Sequence, residues 1–134
     1  MKRATREWVR KAEADRVAAR QSSRGKTPLH DILCFHCQQC AEKYLKALLE
    51  ELGISVPKTH DLDDLLTILR PHHPTLSSVR RGLGFLTQFA VDTRYPGRNA
   101  SKRQAEAALR WKERVRRAAR ALLVIRGPRR RRAK

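Results

Sequence analysis

A chain of 134 residues with 31 Lys and Arg against 13 Asp and Glu carries a formal net charge of +18, and its length fits one ordinary domain rather than two. Leu and Ala each occur 16 times, enough apolar material for a core, which excludes wholesale disorder. No apolar run approaches the roughly 18 residues of a membrane span, and Met1-Lys2-Arg3 leads into no apolar signal segment. A soluble, cytoplasmic protein without a membrane partner is the expectation.

Leu plus Ala outnumber Val plus Ile by 32 to 11, and no strict apolar/polar alternation marks a strand. The class expected is all-α, an up-down antiparallel bundle of four to five helices. In chain order, a first amphipathic helix spans about 4–23, with Trp8, Val9, Ala12 and Ala19 on its apolar side and Val17 nearby. A polar connection, Ser22 to Pro28, offers Thr27 as an N-cap to a second helix over about 28–52. Ile32, Phe35, Leu45, Leu48, Leu49 and Leu52 form its apolar stripe, and Gly53 stops it. A short third helix, about 61–70, has Thr59 or Asp61 for a cap and Leu62, Leu65, Leu66 and Leu69 at helical spacing. A turn between Pro71 and Pro74 holds His72 and His73, most simply as solvated residues. The fourth helix is predicted over about 75–92, where Gly82 and Gly84 imply close helix–helix approach. Arg94-Tyr95-Pro96-Gly97-Arg98 reads as an irregular loop before a fifth helix over about 100–125.

The charge is segregated. Residues 1–26 hold 9 basic and 3 acidic residues, residues 27–98 hold 8 and 8, and residues 99–134 hold 14 and 2. If the terminal helices are neighbours, their outer faces make one basic surface, attractive to polyanions through phosphate contacts and counterion release. Generic surface basicity, with 22 Arg to 9 Lys, is the other reading. Residues 1–126 are expected to form the domain and residues 127–134 a disordered basic tail, which either grips nucleic acid without specificity or only aids solubility.

Two segments resemble the HEPN family (higher eukaryotes and prokaryotes nucleotide-binding domain). One is the helix Asp31-Ile32-Leu33-Cys34-Phe35-His36-Cys37-Gln38-Gln39-Cys40-Ala41-Glu42-Lys43-Tyr44-Leu45-Lys46-Ala47; the other is the loop Pro57-Lys58-Thr59-His60-Asp61-Leu62. Arg94-Tyr95-Pro96 is similar to a third motif that follows the family's fourth helix, and Trp8 and Ala12 suit its first. The resemblance implies a helical homodimer paired with a minimal nucleotidyltransferase in a toxin–antitoxin-type system. It also implies a metal-independent ribonuclease in which Arg neutralises phosphate charge and a following His moves the proton.

Here the chain departs from the pattern. Its histidines are His30, His36, His60, His72 and His73, none of which follows Arg94 or Arg98. The run Arg98-Asn99-Ala100-Ser101-Lys102-Arg103 puts Arg103 where His is wanted, and Arg cannot exchange protons near neutral pH. Arg24 to His30 has the spacing but lies in the wrong connection. Arg98, Asn99 and Arg103 are therefore the candidate catalytic residues, and Arg94, Tyr95, Arg98 and Lys102 the candidate phosphate or partner ligands. Binding RNA, with or without cleavage, competes with a non-catalytic module that holds the nucleotidyltransferase, and with a nucleotide-binding sensor.

His36, Gln39 and Lys43 share a helix face. Either the three help line a polar cleft or dimer seam, with His60 and Arg94 approaching, or His36 and Gln39 are buried polar groups tying the second helix to the Thr59–Asp61 loop. Cys34, Cys37 and Cys40 are read as small core residues rather than metal ligands, since a closed site needs four ligands and no second cysteine cluster exists. No Gly-rich phosphate loop is present, and no metal or cofactor is expected.

Overall fold

The computed structural model describes residues 1–27, 29–91, 93 and 95–124. Arg94 and the basic tail lie outside the described residues. Those described are helical and connecting segments without strand: α1 (Arg3–Ser22), α2 (His30–Glu51), α3 (Leu62–Leu69), α4 (Arg80–Thr87) and α5 (Lys102–Leu122). No helix among them is long and apolar enough to cross a membrane.

The α2 helix is the axis of the bundle, packing against α1, α3, α4 and α5. Its small and apolar residues, Cys34, Cys37, Ala41, Leu45, Leu48 and Leu49, have no more than 1% exposure, consistent with contact on several sides. Each fully buried Leu contributes about 1.5–3 kcal/mol by leaving water. The apolar stripe read from sequence is too broad at both ends. Ile32 and Leu52 are exposed, as is Val17 on α1.

Helix directions follow from polar contacts between the helices. The Lys2 backbone N–H and the Thr5 hydroxyl donate to Glu51 at 2.9 and 3.0 Å, so the start of α1 meets the end of α2. The Ala100 N–H donates to Asp31 at 2.6 Å, and Arg120 donates to the Tyr44 hydroxyl at 3.1 Å. Thus α5 runs parallel to α2, and α1 runs opposite to both. The connection of residues 52–61 returns along α2, which brings His60 level with Glu42.

Two helix starts are capped by side chains. Asp61 accepts the Asp63 N–H at 2.9 Å, and Asp63 and Asp64 place negative charge in the first turn of α3. Ser101 and Gln104 form a reciprocal capping box at α5, with bonds of 3.0 and 2.9 Å. Thr27 does not cap α2: the residue before His30 is Leu29, without a side-chain cap.

The predicted fourth helix is broken into a 3-10 turn (Pro74–Val79), α4, and a second 3-10 turn (Gln88–Ala90). In the first turn, which Pro74 opens, the Ser78 hydroxyl donates to the Thr75 carbonyl at 2.9 Å. In the second, Gln88 donates to the Phe85 carbonyl at 2.8 Å. Only one of the two α4 glycines marks a close approach. A Cβ on Gly82 would lie 2.1 Å from Cε3 of Trp111, whereas one on Gly84 would meet nothing within 4 Å.

Candidate nucleic-acid interface

The two basic helices both pack on α2 and are bridged to each other by long side chains. Arg116 of α5 donates to both carboxylate oxygens of Glu13 of α1, at 2.9 and 2.8 Å. In the reverse sense, Arg16 of α1 donates to Glu113 of α5 at 3.3 Å, and Arg116 also reaches Glu113 at 3.1 Å. Glu13 further accepts the Tyr44 hydroxyl at 2.7 Å, and Arg120 stands 3.7 Å from it. Both seam carboxylates are thus spent on arginines. Burial alone would raise the Glu13 pKa, but its bonds to Arg116 and Tyr44 hold it down at about 2. Outside the seam, Arg3, Arg6 and Arg10 of α1 and Arg103, Arg110, Arg114 and Arg117 of α5 are exposed. They surround a locally neutralised seam with positive charge.

At the entry to α5 the chain forms a corner. The Arg98 N–H donates to the Tyr95 carbonyl at 3.2 Å, closing a turn with Pro96 and Gly97 at its centre. Gly97 takes φ +83°, which an L side chain resists, and Pro96 presets the φ before it. Tyr95, Arg98, Asn99, Lys102 and Arg103 are all exposed here. The Asp31–Ala100 hydrogen bond pins this corner to the start of α2.

Between corner and helix run three adjoining hollows. One of about 330 Å³ is lined by Leu29, His30, Asp31, Ile32, Asn99 and Ala100. The next, about 300 Å³, shares Asp31 and Ile32 and adds Phe35, His36 and Thr93. The third, about 210 Å³, shares Thr93, Asn99 and Ala100 and adds Gln88, Gly97 and Arg98. Together they make a shallow groove with His36 at one end and Arg98 at the other.

The four residues read as a polar cleft fall into two groups. His36 pairs through Nδ1 with Asp15 of α1 at 2.8 Å, and Lys43 donates to the other oxygen of Asp15. This fixes the orientation of the imidazole and leaves Nε2 as the ring nitrogen not bound to Asp15. His60 instead pairs with Glu42 at 2.9 Å, while Gln38 donates to Glu42 at 3.1 Å and to the His60 carbonyl at 3.0 Å. Lys46 completes that group at 3.1 Å from Glu42, with its ammonium 5.8 Å from the Trp8 ring. Gln39 joins the groups only by donating to Gln38 at 2.7 Å. The loop is therefore tied to α2 by Gln38 and Glu42, not by His36 and Gln39.

Sequence reasoning passed over Asp15, Glu42 and Glu13, which organise these contacts. Their available signal was an acidic residue inside a strongly basic helix, or, for Glu42, on the buried side of α2.

The three cysteines are fully buried core residues. Burial pushes the Cys34 and Cys37 thiols up to about 12 and Cys40 higher still, with Lys112 opposing the rise at Cys37 and Cys40. Among the described residues no group of three or more His, Cys, Asp or Glu is placed to hold a metal ion.

The described residues thus form a helical bundle whose largely apolar central helix holds a buried Gln38–Glu42–Lys46 group, with the Thr-His-Asp loop folded back on it and a Tyr-Pro corner before α5. The HEPN domain model matches residues 5–122, and the chain belongs to that family. Its fold is also similar to the crystal structure of TT1696 from Thermus thermophilus, with a TM-score of 0.77 at 24% identity over 87% of this chain and 96% of that one. No curated protein matches the sequence.

Proposed function

We propose that this HEPN-domain protein is the RNA-directed, toxin-like component of a HEPN–nucleotidyltransferase pair, working as a homodimer and engaging RNA through its basic terminal helices. The observation that carries the reading is the α1–α5 seam. Glu13 and Glu113, paired with Arg116 and Arg16, bridge two cationic helices that both lie against α2, and the corner bearing Arg98 opens at one end of α5. Arg98 serves as a phosphate ligand with Asn99 beside it, and Lys102 and Arg103 extend the positive field along the first turn of α5. Arg94 belongs to the same proposal by sequence. Tyr95 and the Ile32 end of the groove form the ground for a second subunit.

Titrating RNA into the full-length protein at several salt concentrations tests this. Affinity should fall steeply with salt, and the variant Arg98→Ala should bind more weakly. Affinity that is absent, or indifferent to salt, contradicts the reading.

A second reading is favoured by Arg103, which stands where the family motif has His and cannot move protons. On it the domain is a non-catalytic module that holds the nucleotidyltransferase. Incubation of the purified protein with RNA separates the two: cleavage that Arg98→Ala abolishes supports an enzyme, and intact RNA supports the module. His36→Gln in the same assay asks whether the imidazole held by Asp15 supplies the proton transfer.

A further inference from the structure

The outward face of α5 is more regular than a generally basic surface. At about 100° per residue, Arg103, Arg110, Arg114 and Arg117 fall within an arc of roughly 60°. At about 1.5 Å per residue they extend over roughly 21 Å. All four are exposed, and Glu106 is the carboxylate among them. The row is stiff because its back is packed: Ala105, Ala108, Val115 and Ala119 are buried, and Trp111 presses on Gly82.

The same face lacks what a single strand needs. Unpaired bases are gripped by stacking on open aromatic rings. Trp111 is occupied, with the Gly82 backbone against it and the Arg114 guanidinium 5.0 Å from its centroid. Trp8, the other aromatic on the terminal helices, has Lys46 over its ring. Along the row charge is offered without a stacking platform, and the exposed Tyr95 ring lies off it, at the corner before α5. A double helix is bound through shape and backbone contacts and asks for no stacking. A straight cationic row on a rigid helix can follow its phosphates without distortion. The seam carboxylates beside the row are already neutralised by arginine, so they add little repulsion.

We propose that the Arg103–Arg117 row of α5 is a docking surface for the sugar–phosphate backbone of double-stranded RNA, indifferent to sequence. This rests on the RNA reading above and deepens it by naming the form of RNA.

The experiment uses full-length protein, a labelled RNA duplex of about two helical turns and each of its single strands, measured by anisotropy across a salt series. The duplex should bind at least about tenfold more tightly than either strand. In the triple variant Arg110→Gln, Arg114→Gln, Arg117→Gln that preference should vanish, and the log–log salt slope should fall by about 2–3. These side chains are exposed, so the fold should survive, which circular dichroism checks. A second variant, with Arg129, Arg130, Arg131 and Arg132 changed to Ser, should keep the duplex preference while losing overall affinity. Equal binding of duplex and strands, or an unchanged slope in the triple variant, overturns the docking surface and leaves the RNA reading standing. Absence of RNA binding in the parent protein removes both. Displacement of the duplex by polyglutamate at equal charge concentration would show an unselective polyanion surface and also overturn the proposal.

Discussion

Glu13 and Arg116 are 103 positions apart in the chain and share a two-pronged ion pair, Nε at 2.9 Å and Nη2 at 2.8 Å from the two carboxylate oxygens. Burial works against the carboxylate, but Arg116, Tyr44 and Arg120 hold its pKa at about 2, below the ordinary 4.5. A carboxylate whose pKa is depressed on folding adds stability above the unfolded value and loses it as pH falls toward the folded one. The window is therefore roughly pH 4.5 down to 2. One pKa unit corresponds to about 1.4 kcal/mol, and the 31% exposure of the Glu13 side chain reduces the yield, so about 1–3 kcal/mol is expected. Urea unfolding across this range should show the parent losing stability steeply. Glu13→Gln should start lower at pH 7 and lose less. Identical acid profiles would show the pair to be inert.

Gly82 and Gly84 sit two residues apart in α4 and should respond oppositely to Ala. At Gly82 a methyl group would penetrate the Trp111 indole, forcing either the ring or α4 to move. Overpacking of this kind costs about 1–3 kcal/mol. At Gly84 nothing lies within 4 Å, so the gain in helix propensity should stabilise by about 0.5–1 kcal/mol. Thermal denaturation of the two single variants checks the contrast. A Gly82→Ala protein that melts with the parent would mean that Trp111 repacks freely.

Those two glycines also show how far the fold was legible. Helix propensity and 3-4 spacing located the five described helices, most closely α1, α2 and α5, because long amphipathic segments carry a redundant signal. The break-up of the segment around α4 was hidden, since Ser78 reads as ordinary helix surface until its hydroxyl is seen bonding the Thr75 carbonyl. The α2 motif was visible as a string of residues, but not which ones bond. His36 and Gln39 look equivalent by spacing, yet Asp15 on another helix takes His36, while Gln38 reaches the loop. Partners distant in sequence leave no local periodicity to read. The juxtaposition of α1 and α5 was conditional in the sequence for the same reason: the charge tally says what the helices carry, and only the seam says where they lie.

The cysteines should be inert to thiol reagents in the native state. Cys34, Cys37 and Cys40 have no exposure, and burial raises their pKa values well above the free-thiol range, to about 12 for Cys34 and Cys37. Little thiolate is present near neutral pH, and the reagent has no path to it. With Ellman's reagent the folded protein should react only at the rate of its own opening, and all three thiols should react at once in denaturant. Rapid modification of any one in native buffer would mean that α2 opens locally.

The homodimer proposed above makes a demand on one residue. Leu29, Ile32, Val91 and Tyr95 are large apolar side chains left 49%, 45%, 48% and 59% exposed, and they come from the start of α2 and the segment leading to the corner. Isolated exposed hydrophobics are common, but Leu29 and Ile32 also line the groove that the corner closes. A second subunit covering the groove would bury Ile32 near the middle of the contact. Ile32→Glu would place a charge there, and a loss of about 2–3 kcal/mol should weaken association roughly a hundredfold. The side chain faces solvent within one subunit, so the variant should keep its helical content and melt as a monomer. Sedimentation equilibrium of parent and variant at matched concentrations reads the difference directly. A parent that sediments as a monomer, or a variant that stays dimeric, would place the second subunit elsewhere or remove it.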